Sequence, residues 1–164
     1  MVKQSKSTPK KWRYISRSLR STQRFAAALG RASNQGTVYC LNGDLGAGKT
    51  AFTKGFAAGH NVKNLNDVVS PTYTLVNEYD GELCQLFHMD WYRLEDEDSA
   101  LSLGLEEVIR RRQGVVLIEW SIRFPAFVPP DAVSVDIRVL PDQSREFTVS
   151  GCAAPSRFQV LALD

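Results

Sequence analysis

The sequence predicts a three-layer α/β fold with a mixed parallel and antiparallel sheet, and three observations carry that prediction. A β-branched, apolar segment from Thr37 to Leu41 runs directly into a glycine-rich turn and then into a helical stretch. Val115 to Ile118 is an uninterrupted aliphatic run, the pattern of a strand buried on both faces. The last third alternates apolar and polar residues (Val133, Val135, Ile137, Val139, then Phe147 and Val149), as antiparallel strands do.

The elements follow in order. Residues 1–17 are rich in Lys, Arg and Ser, contain Pro9 and show no apolar period, so they read as a disordered basic tail ahead of one domain at 18–164. Ser21 is placed to cap a helix from Thr22 to Ala32, with Phe25, Ala28 and Leu29 on its buried side. A second helix is expected from Lys49 to Ala58, with Gly59 as its stop. Residues 60–72 read as a loop. Strands at Tyr73–Tyr79 and Glu82–Met89 are expected around the turn pair Asp80-Gly81. Acids at Glu95–Asp98 and bases at Arg110–Arg112 suit the two ends of one helix between them. Phe158, Val160, Leu161 and Leu163 suggest a closing strand.

Composition sets outer limits. The 164 residues are 43% hydrophobic and 23% charged, which suits one folded core. No apolar run approaches the roughly 20 residues that span a bilayer. Cys40, Cys84 and Cys152 are odd in number and far apart, so they read as free thiols of a reducing cytoplasm and not as a disulfide or zinc framework. The net charge of +2 conceals an asymmetry, because residues 1–43 hold nine Lys or Arg and no acid. Such an end either meets an anionic partner or is simply solvated.

The strongest motif is Gly43-Asp44-Leu45-Gly46-Ala47-Gly48-Lys49-Thr50, which fits G-x-x-x-x-G-K-[ST]. Such a loop turns its N–H groups around phosphate oxygens while the next helix aims its positive end at them. In this pattern Lys49 meets the β- and γ-phosphates and the Thr50 hydroxyl binds magnesium. The chemistry also needs a carboxylate at the end of a neighbouring strand. Asp90 and Glu119 both follow apolar strand runs, so one is expected at the metal and the other at the attacking water. Ser70-Pro71-Thr72-Tyr73 is a candidate loop for sensing the γ-phosphate. His88 fits either a catalytic base or a packed strand residue. Arg93 fits either a phosphate contact or a surface ion pair, and Trp120 fits core, lid or partner contact.

Five motifs in one order resemble the bacterial TsaE (YjeE) family. They are Leu41 to Thr50, Ser70-Pro71-Thr72-Tyr73-Thr74-Leu75-Val76, His88-Met89-Asp90-Trp91-Tyr92-Arg93-Leu94, Leu103-Gly104-Leu105-Glu106-Glu107, and Leu117-Ile118-Glu119-Trp120. The similarity covers about residues 19 to 150. It implies a P-loop NTPase-like fold and a cytoplasmic ATPase, weak alone, that uses ATP and Mg2+. It also implies work beside two protein subunits, of TsaB and TsaD type, in making N6-threonylcarbamoyladenosine at position 37 of tRNA. Contact with tRNA would then run through that complex, and no membrane is involved.

By the same resemblance Thr50 and Glu119 are metal ligands, Asp90 is a catalytic or water-orienting acid, and Thr72 is a switch-loop residue; Asp90, Thr72 and Lys49 are the expected catalytic residues. Gly43, Asp44, Leu45, Gly46, Ala47, Gly48, Lys49 and Thr50 hold phosphates. Thr22, in the stretch Leu19–Thr22, lies near the adenine, and Arg145 beside Ser144 closes over the nucleotide. Ala51 and the loop Asn61–Asp67 depart from the family pattern, and neither touches a proposed phosphate or metal contact. Two other readings are a small P-loop kinase and a nucleotide-gated binding module. The absence of an N-K-x-D segment argues against guanine.

Overall fold

The computed structural model describes residues 11–151. Among them a sheet of 7 strands runs in the order β1-β7-β6-β2-β5-β4-β3. The strands are β1 Lys11–Ser16, β2 Val38–Asn42, β3 Val76–Asp80, β4 Gln85–Asp90, β5 Gly114–Glu119, β6 Val133–Val139 and β7 Arg145–Ser150. β6, β2, β5 and β4 are parallel neighbours, while β3, β7 and β1 join antiparallel at the edges. The mixed sheet expected from sequence is therefore present. The closing strand read at Phe158–Leu163 lies outside the described residues.

Helices α1 Leu19–Ala32 and α2 Lys49–Gly59 cover one face, and α3 Glu97–Ser102 and α4 Leu105–Arg111 lie on the other. Strand alternation divides the core accordingly. Tyr39, Leu41, Leu86, Val115 and Leu117 face α1 and α2, while Val38, Phe87, Met89, Val116 and Ile118 face α3 and α4. Phe52, Phe56 and Phe147 are completely buried in the first layer. Phe25 packs on Phe147 with ring centroids 5.3 Å apart. Each fully buried ring of this kind contributes about 2–3 kcal/mol.

Four expectations need correction. First, the basic tail does not extend to residue 17, because Lys11–Ser16 forms edge strand β1 paired with β7. Its alternate residues Trp12 and Tyr14 pack against the core, and Tyr14 stacks on Phe25 at 4.5 Å. The alternation is short, and Lys11 and Arg13 mask it. Second, α1 starts at Leu19, and Ser18 is its cap. Ser18 accepts from the Ser21 N–H while the Ser21 hydroxyl accepts from the Ser18 N–H, so Ser21 is the inner half of a capping box. Third, the single helix expected to Arg112 is two helices, because Gly104 takes φ +69 and ends the first. Fourth, the hairpin loop is longer than Asp80-Gly81, since β3 ends at Asp80 and β4 begins at Gln85.

Candidate functional site

The β2–α2 junction builds the first half of the site. β2 ends at Asn42, and Gly43 to Gly48 turn the chain into α2. Gly48 sits at φ +112, and a Cβ placed there or on Gly46 would meet nothing within 4 Å. The loop therefore opens onto space rather than onto packed atoms. α2 has no side-chain cap, which leaves its first N–H groups available to an anion. Lys49 is buried, and its ammonium donates to the carbonyl oxygens of Gly43 (2.8 Å) and Asp44 (2.9 Å). Burial pulls its pKa down, opposed by the negative charges of Glu119, Asp90 and Asp44.

The second half comes from β4 and β5. In their parallel register Asp90 stands directly opposite Glu119, so two strand-end carboxylates lie side by side. Both are buried. Asp90 Oδ2 accepts from the hydroxyls of Ser70 and Thr72, each at 3.0 Å, and Oδ1 accepts from the Tyr92 N–H at 2.9 Å. Ser70 and Thr72 themselves meet at 2.9 Å. The loop 70–73 is thus tied to the strand-end acid by two hydroxyls. Leu75 turns the chain from this loop into β3 with its N–H on the Pro71 carbonyl.

These pieces line one cleft of about 510 Å³, which includes Gly46, Gly48, Lys49, Thr50, Ser70, Thr72, Asp90, Arg93, Glu119 and Trp120. Lys49, Thr50, Thr72, Asp90 and Glu119 are thus brought together as the sequence suggested. Arg93 stacks on the Tyr73 ring at 4.5 Å, at the rim. Thr22 and Arg145 do not line the cleft. Thr22 is buried and shares a 2.7 Å contact with the Ser16 hydroxyl, and Arg145 pairs with Ser16 in the β1–β7 register. The two therefore share one end of the sheet. His88 does not line the cleft either; it is fully buried, with Nε2 on Glu119 Oε1 at 2.9 Å. Sequence left its role open because burial of one strand residue depends on the pairing of its neighbours.

The residues suit a magnesium–phosphate group. Among the described residues no three His, Cys, Asp or Glu side chains converge as a metal cage. Magnesium on a nucleotide does not need one, since it keeps several waters and takes phosphate oxygens beside one or two protein oxygens. The Thr50 hydroxyl and the Glu119 carboxylate are donors of that kind.

The sheet, its glycine-rich strand–turn–helix junction and the paired strand-end acids define a protein of the P-loop NTPase-like α/β class. The sequence model of the threonylcarbamoyl adenosine biosynthesis protein TsaE matches residues 16–147. The tRNA threonylcarbamoyladenosine biosynthesis protein TsaE of Treponema pallidum (strain Nichols) is 40% identical over 138 residues, covering 84% of this chain and 99% of that one. That of Bacillus subtilis (strain 168) is 38% identical over 151 residues, covering 92% and 90%. The crystal structure of Bacillus subtilis YdiB superposes with a TM-score of 0.74 at 30% identity, covering 94% of this chain and 93% of that one. The chain belongs to the TsaE family, whose role is in tRNA threonylcarbamoyladenosine biosynthesis. No helix of the described residues is long and apolar enough to cross a membrane.

Proposed function

We propose that this chain binds ATP with Mg2+ in the cleft at Lys49 and hydrolyses it slowly. On this reading it serves two partner subunits, of TsaB and TsaD type, that make N6-threonylcarbamoyladenosine at position 37 of tRNA, in the cytoplasm. The observation that carries the reading is the convergence of Lys49, Thr50, Thr72, Asp90 and Glu119 on one cleft, with Asp90 and Glu119 in register.

Each residue has a task that its surroundings suit. Lys49 exchanges its two loop carbonyls for phosphate oxygens, so its charge is spent where negative charge grows. Thr50 and Glu119 would hold magnesium, which supplies charge neutralisation across the β- and γ-phosphates. Asp90 orients the attacking water, and its orientation is already fixed by Ser70, Thr72 and the Tyr92 N–H. Thr72 links the position of its loop to that of Asp90, which lets a partner pressing on the loop alter hydrolysis. Thr22, in the first turn of α1, and Arg145, at the start of β7, are the proposed base-side contacts.

The test is to titrate the partner pair against the protein and follow phosphate release. Slow release alone and marked acceleration by the pair are expected. Thr72→Ala should lose more of that acceleration than of its ATP affinity, and Lys49→Ala should lose ATP binding. Full activity in isolation, with no response to the pair, would instead favour a self-sufficient kinase, and binding without turnover would favour a gated module.

A further inference from the structure

We infer that His88 is a positioning residue for Glu119, holding one carboxylate oxygen so that the other serves the cleft. The inference rests on the nucleotide reading above. On β4, Leu86, His88 and Asp90 share the face toward α1 and α2, while Phe87 and Met89 face the other layer. Asp90 reaches the cleft, and His88 lies two residues behind it, with 0% exposure. That depth excludes contact with a substrate. It places the imidazole against the buried side of Glu119, Nε2 to Oε1 at 2.9 Å.

A carboxylate only accepts, so the hydrogen of the pair sits on Nε2. With Oε1 engaged, Oε2 is the oxygen left for a ligand in the cleft. The other ring nitrogen, Nδ1, is buried with no hydrogen-bond partner among the described residues. An unpaired polar atom in the core is unfavourable, and a methionine or leucine would fill the space without one. Packing therefore does not explain a histidine here, whereas the bond to Glu119 does. Outer partners of metal-ligating carboxylates commonly change metal affinity by about 10- to 100-fold when removed.

The experiment compares His88→Gln with His88→Met, side chains of nearly equal size of which only Gln keeps an N–H for Glu119. ATP affinity of the full chain is measured by calorimetry across a magnesium series and in EDTA, alongside melting temperature. His88→Met should raise the magnesium requirement about 10-fold or more, with affinity in EDTA unchanged. His88→Gln should stay near wild type. A packing role predicts that Met matches or exceeds Gln in stability and leaves the magnesium requirement alone; that result overturns the inference. If Glu119→Gln also leaves the requirement unchanged, the reading of the cleft falls as well. The unaltered protein offers a second measurement, since it has only 2 histidines. The Nε2 nitrogen resonance of His88 should shift when magnesium joins ATP, and no shift would overturn the inference.

Discussion

The Lys49 ammonium lies 4.3 Å from the centroid of the Trp120 ring. Trp120 holds this place at φ +61, a left-handed backbone that costs a non-glycine residue about 1–2 kcal/mol. Its ring also packs on Tyr92 at 5.0 Å. Phosphates that draw Lys49 toward themselves must change the charge over the indole. ATP with magnesium should therefore alter tryptophan emission, and Trp120→Phe should abolish the response. Trp91 is fully buried, and Trp12 sits on the far edge strand. A response that survives in Trp120→Phe would trace the signal to one of them.

Asp90 and Glu119 should fail differently. Asp90→Asn removes a carboxylate that accepts from two hydroxyls, and it should lower hydrolysis roughly 100-fold or more while ATP still binds. Glu119→Gln should raise the magnesium needed for binding by about 10-fold or more. Nucleotide binding over a magnesium series, beside phosphate release, separates the two. Exchanged phenotypes would mean exchanged roles.

Sequence made the glycine-rich loop and the placing of both acids at strand ends legible because each is written locally. Gly43 to Thr50 is contiguous, and Asp90 and Glu119 each close an apolar strand run. What stayed hidden depends on pairing across the chain. Nothing near His88 says that Glu119 is its neighbour, because the β4–β5 register decides that. Trp12 and Tyr14 look like tail until β7 offers them a partner. The division of α3 from α4 was missed for another reason: the charge pattern that favours one helix spans the Gly104 break without revealing it.

The edge strand gives a stability prediction. Tyr14 stacks on Phe25, and Arg13 forms an ion pair with Glu146 at 2.6 Å. Removing residues 1–17 should cost about 2–4 kcal/mol, mostly through the lost aromatic burial of Trp12 and Tyr14. Tyr14→Ala alone should cost about 2 kcal/mol. Urea unfolding of the two variants checks this. Unchanged midpoints would mean that β1 adds nothing to the sheet.

Acid should weaken a specific link between the end of α4 and the start of β6. Arg112 holds both carboxylate oxygens of Asp131, at 2.8 and 2.7 Å. Its guanidinium keeps the Asp131 carboxyl below the ordinary 3.8. A depressed carboxyl adds stability above its unfolded value, and that stability is lost as pH falls through the lower folded value. Both groups are about half exposed, so water screens the pair to roughly 0.5 kcal/mol. Asp131→Asn should show that deficit at neutral pH, and the gap to wild type should close as pH drops past 3.8. A constant gap across the acid range would assign the loss to packing.

The register that seats the acids also sets when the chain can first recognise its ligand. The β6–β7 and β3–β4 hairpins pair residues close in the chain, whereas β2 meets β5 with Leu41 opposite Glu119. Parallel pairing of that kind must close a long excursion of chain before it is rewarded. A form holding only the hairpins would have Asp90 at the end of β4 but neither Glu119 nor the glycine turn beside it. On the nucleotide reading, affinity for ATP arrives with closure of the central strands, and a ligand bound to that closed state stabilises it.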